Sequence, residues 1–589
     1  MMNWRKTSQA LMPVTTDTYQ APASGSYDLY PYAKLGDGKI HNGYDTLAGW
    51  MKDHKTILID GYVGNDWEYI GASLEKELAA IGLKANITYT TSLMKSETEI
   101  DALVKPFIGE PGTVWGKRTT LSLKDLFDTG KLQHISISVD AINIIIGLGA
   151  ALSGLKAPVV YVDLPKNELQ YRMRARMANN IGKQQWDDNQ ETYKRFYFVD
   201  WVLLNNYKQQ ILSSIDVIAD GQWKEQITWA KHQDISEGLQ YISRNAFRVR
   251  PWFEAGAWGG NWMKDQINGL NKDEVNYAWS FEMIVPENGL VFESNGNLLE
   301  IAFDWLMMEH SQEVLGEDEQ RFGIDFPIRF DFLDTFDGGN LSIQCHPTVK
   351  YIRENFGETI TQDETYYILD CKEDASVYLG FQENIDPEVF RDVLEESVEK
   401  NEAIDIEQYV QRHPARKHDL FLIPNGTVHS SGKDNLVLEI SATPYIFTFK
   451  MYDWVRLDLN GKPRPINIDH AFHNLDFSRK GNRVQEELIS KQYVMEKGDD
   501  WQLVHTPTHA EHFYDIHRVE FTNSIAIPTD GKCHVLMLVE GKSVIVETAN
   551  GFRQRYNYAE TFAIPAAARS YKIINEGDTT AKVVKAFVK

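Results

Sequence analysis

The texture of this 589-residue sequence changes near Lys55 and again past Phe247, and the second change limits the fold more than any other feature. Before it, short apolar runs alternate with helix-like text. Thr56-Ile57-Leu58-Ile59-Asp60-Gly61 is an apolar run closed by glycine, the profile of a buried parallel strand. Residues 65–81 carry a helical pattern, and residues 135–139 and 159–163 are expected strands. Residues 142–152 are the longest apolar stretch, a buried strand or helix. Alternation of this kind predicts an α/β domain built on a parallel sheet over residues 51–245. Ahead of it, residues 1–50 are rich in turn formers, among them Pro13, Pro22, Gly25, Pro31, Gly36, Gly38 and Gly43, and read as an N-terminal arm.

Past Phe247, short β-branched and aromatic runs recur between Gly, Asn, Asp and Pro, at residues 341–344, 366–369, 376–381, 419–423 and 435–440. That spacing predicts an antiparallel sandwich or barrel over residues 246–385 and 411–500, with a helical insert at 386–410. Residues 501–589 repeat the strand–turn pattern and read as a second, smaller barrel. The chain is therefore expected to be multidomain, as its length also suggests.

Composition contributes mainly by exclusion. A net charge of −24 leaves no basic footprint for nucleic acid, and a bound phosphate would need a few local cations. No stretch reaches the roughly 18 consecutive apolar residues of a membrane span, and the first residues lack a signal-peptide core. A cytoplasmic protein without a membrane partner is expected, and a homo-oligomer is left open. Cys345, Cys371 and Cys533 form no CxxC pair and read as reduced structural thiols.

Four residues stand out as chemistry. Gln344 and His346 are two apart on an expected strand, so both side chains leave one face. Glu364 opens the next strand, and His429 follows the turn Pro424-Asn425-Gly426-Thr427-Val428. Two imidazoles, a carboxylate and an amide oxygen make a mixed N/O set that suits Zn²⁺, with Mn²⁺, Fe²⁺ or Co²⁺ also accepted. The histidines of His505-Thr506-Pro507-Thr508-His509-Ala510-Glu511-His512 read instead as an exposed loop leading into the second barrel.

Leu341-Ser342-Ile343-Gln344-Cys345-His346-Pro347 resembles the LS(I/V)QxHP motif of class I mannose-6-phosphate isomerases. Glu364-Thr365-Tyr366-Tyr367-Ile368 is similar to that family's ligand glutamate and aromatic strand, and residues 423–429 to its (I/V)PxGxxH turn. Phe447 to Arg456 is similar to its TYRxYDxxR segment, and Gly256-Ala257-Trp258-Gly259-Gly260 to its WGG opening. The resemblance implies cupin (jelly-roll) domains and metal ligation by Gln344, His346, Glu364 and His429. It implies interconversion of mannose 6-phosphate and fructose 6-phosphate through a cis-enediol. It further implies a phosphorylated hexose partner, with Glu439, Lys450 and Arg456 as catalytic candidates and Ser342 and Lys350 as substrate-binding ones. Two positions depart from the pattern: the arginine of TYRxYD is Lys450, and a lysine found in many relatives before the ligand glutamate is Gln362.

The first half resembles a P-loop nucleoside or sugar kinase. Its first strand stands where a phosphate loop would follow, and Val159 to Pro165 leads into Arg172, Arg174 and Arg176 like a lid helix. No GxxxxGK(S/T) is present, and Asp66-Trp67-Glu68 places negative charge where phosphate would rest. A degenerate P-loop-like domain is expected. The alternatives to an isomerase are a non-catalytic sugar-phosphate-binding cupin with a regulatory kinase-like module, or a bifunctional sugar kinase-isomerase.

Overall fold

The structure, a computed structural model, describes residues 4–19, 22–285, 287–442, 444 and 446–589. The chain forms two compact units: residues 1–20, 32–241 and 286–309 in one, and residues 21–31, 242–285 and 310–589 in the other.

The first unit is built on a seven-stranded sheet. Its parallel strands are β1 (Thr56–Gly61), β2 (Ala85–Tyr89), β3 (Ile142–Ile146), β4 (Val159–Asp163) and β5 (Ile215–Asp220), lying in the order β5-β4-β1-β3-β2. The strand expected at 135–139 is absent; those residues are irregular, and the adjoining Ile-Asn-Ile-Ile-Ile run forms β3. That run is buried along its whole length, as a central parallel strand requires. Helix α1 (Trp67–Ala80) lays Ile70, Leu74 and Leu78 on Ile57, Ile59, Ile144 and Ile146. Residues 32–50, expected in an arm, supply the strands Tyr32–Lys34 and Ile40–Asn42 and all but the last residue of the helix Tyr44–Met51 to this unit.

Polar groups at the carboxyl ends of these strands are engaged by the fold. Asp60 accepts from Gly149 N, Ala151 N and the Tyr207 hydroxyl, and Asp163 from Ala302 N and Trp305 Nε1. The amino end of α1 is capped by its own Asp66, which accepts from Tyr69 N at 3.0 Å. Arg172, near the end of α2 (Lys166–Arg174), is buried and donates to the carbonyls of Gly64, Gly221 and Gln222. It is a backbone clamp in this arrangement.

The second unit contains two β-rich bodies. One pairs a six-stranded sheet with a five-stranded sheet. The six-stranded sheet carries β6 (Ile328–Asp334), β8 (Glu364–Cys371) and β10 (Asn435–Ala442); the five-stranded sheet carries β7 (Ile343–Cys345), β9 (His429–Ser431) and β11 (Phe449–Tyr452). Helix α3 (Val349–Phe356) follows β7, and α4 (Pro387–Lys400) occupies the expected insert. The other body has a six-stranded and a four-stranded sheet, including β12 (Tyr493–Lys497), β13 (Trp501–Thr506), β14 (Tyr514–Phe521), β15 (His534–Glu540) and β16 (Ala581–Val588).

The inner face of the six-stranded sheet is graded. In register, Leu333 pairs with Val437 and Val437 with Ile368, all in the apolar core. Two residues along each strand stand Asp331, Glu439 and Tyr366, and two further Arg329, Ser441 and Glu364. Period-two alternation thus carries one face from hydrocarbon into a cluster of charges.

Candidate metal centre

The cluster faces β7 and β9. Gln344 lies directly opposite His429 and is also paired with Lys450 of β11. The turn before His429 is locked to the other histidine, because Gly426 N donates to the His346 carbonyl at 2.9 Å. Gly426 takes a φ of +77°, and a Cβ there would meet the Asn474 carbonyl oxygen at 2.5 Å, so glycine is the residue that permits this close approach.

His346 Nε2 lies 3.0 Å from Glu364 Oε2, and His429 Nε2 lies 2.9 Å from Glu364 Oε1. Gln344 Nε2 is 3.3 Å from His429 Nε2, and a flip of the amide presents its oxygen to the same point. His346, Glu364 and His429 are essentially without solvent exposure. His346 Nδ1 is 2.9 Å from the Phe447 carbonyl and His429 Nδ1 is 2.9 Å from the Thr427 carbonyl. A carbonyl can only accept, so each Nδ1 carries a proton, and in the neutral form each ring turns an Nε2 lone pair inward. The glutamate facing them is also an acceptor. His346 Nε2 and Glu364 Oε1 are buried without a hydrogen-bond partner. Acceptors converging in a dry interior are unfavourable unless a cation lies between them, and the N/O set fits a divalent transition metal. Burial alone would push the Glu364 carboxyl up, but positive charge on the two imidazoles outweighs it and holds the group well below its ordinary range. A dication would provide such charge with both rings neutral.

Other expected residues take varied positions. Ser342 Oγ lies 2.9 Å from the outer atom of the Gln344 amide and, with the amide flipped, accepts from its Nε2, which orients the oxygen inward. Gln362, the departure from the lysine pattern, donates to Glu364 Oε2 at 3.2 Å. Lys450 shares the face of Gln344, and burial, with Arg464 and Arg456 nearby, pushes its ammonium down to about 8 against the pull of Asp453. Arg456 pairs with Asp453 and donates to the Asn340 carbonyl. Lys350 is exposed at the start of α3. Glu439 is buried, pairs with Arg329 and accepts from Ser441. Burial, then Asp331 and Glu364, push its carboxyl up against Arg329, and the neighbouring Asp331 is raised to about 6, chiefly by burial.

Three groups here escaped the sequence reading. Arg329 and Asp331 sit on β6, where Arg-x-Asp alternation in an otherwise apolar strand was the available signal. Arg464, 2.7 Å from Asp453 Oδ2, lies in a turn-rich stretch with no pattern to mark it. The expected exposed loop at 505–512 is corrected at two points. His505 belongs to β13, and His512 is buried and stacked on Tyr514.

A family described as "Domain of unknown function (DUF8485)" matches residues 43–244. Probable mannose-6-phosphate isomerase GmuF of Bacillus subtilis (strain 168) is 24% identical over 54% of this chain and 92% of its own length. Mannose-6-phosphate isomerase ManA of the same organism is 28% identical over 38% of this chain and 67% of its own length. The solved structure of the mannose 6-phosphate isomerase from Bacillus subtilis aligns with a TM-score of 0.47 at 20% identity, covering 58% of this chain and 98% of that one. About half of the chain is thus homologous, at low identity, to mannose-6-phosphate isomerases.

Proposed function

We propose that the chain is a metal-dependent aldose–ketose isomerase that interconverts mannose 6-phosphate and fructose 6-phosphate through a cis-enediol. The observation that carries this reading is the convergence of His346 Nε2, His429 Nε2 and both Glu364 oxygens on one buried point. The printed names of the relatives supply the substrate class. Gln344, His346, Glu364 and His429 would hold the ion, Zn²⁺ in the first instance. When bound, it polarises carbonyl and hydroxyl oxygens and stabilises charge developing on them.

The remaining work falls to side chains of this chain. Glu439, with its raised carboxyl beside the cluster, accepts and returns the proton exchanged between C1 and C2. Lys450 holds the anionic sugar next to the ligands, and Arg456 and Arg464 support it through Asp453. Ser342 fixes Gln344, and Lys350 meets substrate at the rim. In D₂O, turnover should place deuterium at C1 of fructose 6-phosphate or C2 of mannose 6-phosphate. Glu439→Gln should lower kcat by about 10²–10⁴-fold with metal content intact. Turnover without a kcat loss in that variant would remove Glu439 from the mechanism.

In this reading the cupin sandwich lies within residues 246–285, 310–385 and 411–492, with 493–589 as the second barrel. We assign residues 51–245 to a degenerate P-loop-like module without phosphotransfer, a reading favoured by Asp66 capping the helix where a phosphate would otherwise be bound.

A further inference from the structure

The interior of the second barrel is graded like that of the first. Leu503, Val519 and Val583 stand opposite one another across β13, β14 and β16, and Val519 and Val583 lie in the apolar core with Leu536 and Leu538. Two residues along, on the same face, the next rung is His505, His517 and Lys585. Asp515 shares the face, two residues before His517.

These side chains are closely assembled. His505 Nε2 is 2.9 Å from Asp515 Oδ2, and the rings of His505 and His517 are 5.1 Å apart. One ligand atom from each of His505, Asp515 and His517 lies within 4.8 Å of the others. His505 and Asp515 are steadied from behind. The Tyr493 hydroxyl meets His505 Nδ1 at 2.9 Å, while Asp515 Oδ1 accepts from Ile516 N at 3.0 Å and from the Thr508 hydroxyl at 3.3 Å. That arrangement leaves His505 Nε2 and Asp515 Oδ2 turned inward, the outer-sphere support typical of metal ligands. His517 Nδ1 is buried with no hydrogen-bond partner. His534 borders the group, its Nδ1 3.0 Å from the Tyr571 hydroxyl.

We propose that His505, Asp515 and His517 form a second divalent transition-metal site, in the smaller barrel and separate from the His346–Glu364–His429 centre. Two imidazoles and one carboxylate bind the ion and leave positions for water or a small ligand. The ion cross-links β13 to β14. Lys585 is the opposing charge on the rung and lowers the affinity of the site.

The test is a metal count on the full-length protein after dialysis against Co²⁺. It needs no substrate and is therefore independent of the isomerase reading. The site predicts one equivalent that survives His346→Ala/His429→Ala and disappears in His505→Ala/His517→Ala, with Asp515→Asn weakening it. Because those variants remove side chains, Lys585→Met supplies a gain: it should tighten this equivalent on the order of tenfold, since a positive charge beside a dication is removed. An equivalent that survives the first pair and follows the second supports the site even if no sugar phosphate turns over. No metal bound once His346 and His429 are gone, or weaker binding in Lys585→Met, would overturn it.

Discussion

At the residue scale, the centre depends on which atoms are spoken for. The Phe447 and Thr427 carbonyls hold both Nδ1 atoms as donors, so a neutral ring at either position offers Nε2 to a ligand. Gln362 plays a similar part for Glu364. Gln362→Ala should weaken metal binding about 10–100-fold with the ligands intact, measured by chelator competition. Lys450 gives a pH signature. Its ammonium, pushed down to about 8, loses its charge as pH rises through that value, and an anionic substrate loses attraction with it. The limb of kcat/KM above pH 8 should therefore fall, and Lys450→Arg, with a guanidinium that stays charged, should move that limb to higher pH. An unmoved limb would mean that another group governs it.

At the element scale, the parallel sheet stores buried acids at its strand ends. Asp220, at the end of β5, is raised to about 8 by burial and then by Glu300, with Gln222 Nε2 donating to both carboxyls. The folded state therefore keeps a proton that the unfolded state gives up near an ordinary carboxyl value of about 4. Stability falls as pH rises from about 4 to about 8 and then levels, by at most about 1.4 kcal/mol per pH unit for one group. Thermal unfolding should have a lower midpoint at pH 8 than at pH 6, and Asp220→Asn should flatten that difference. The strands themselves were legible to different degrees. β4 matches its expected bounds because an uninterrupted apolar run is cut off by turn residues. Residues 135–139 misled because Ile-Ser-Ile-Ser-Val alternates like a half-buried strand, yet Ile137 and Val139 are exposed and the buried edge goes to the next run. Residues 32–51 hid their strands because three-residue elements such as Ile40–Asn42 carry no period to detect.

At the scale of the whole molecule, two β bodies share one plan, with apolar packing at one end of each inner face and ligand-type side chains at the other. The first set was readable because Gln344-x-His346 obeys a strand period and the PNG turn delivers His429. The second was not, because His505 and His517 are twelve apart in sequence and meet only through the register of β13 with β14. The parallel-sheet unit contains most of residues 43–244, and the four candidate ligands all belong to the other unit. The central claim, that this centre holds an ion needed for isomerisation, is met most directly by one coupled assay of fructose 6-phosphate formation from mannose 6-phosphate. It compares untreated protein, chelated protein, chelated protein with Zn²⁺ or Mn²⁺ restored, and His429→Ala. Turnover should vanish with chelation, return with metal and be absent in the variant. Turnover indifferent to chelation, or none from fully metallated protein, would contradict the account.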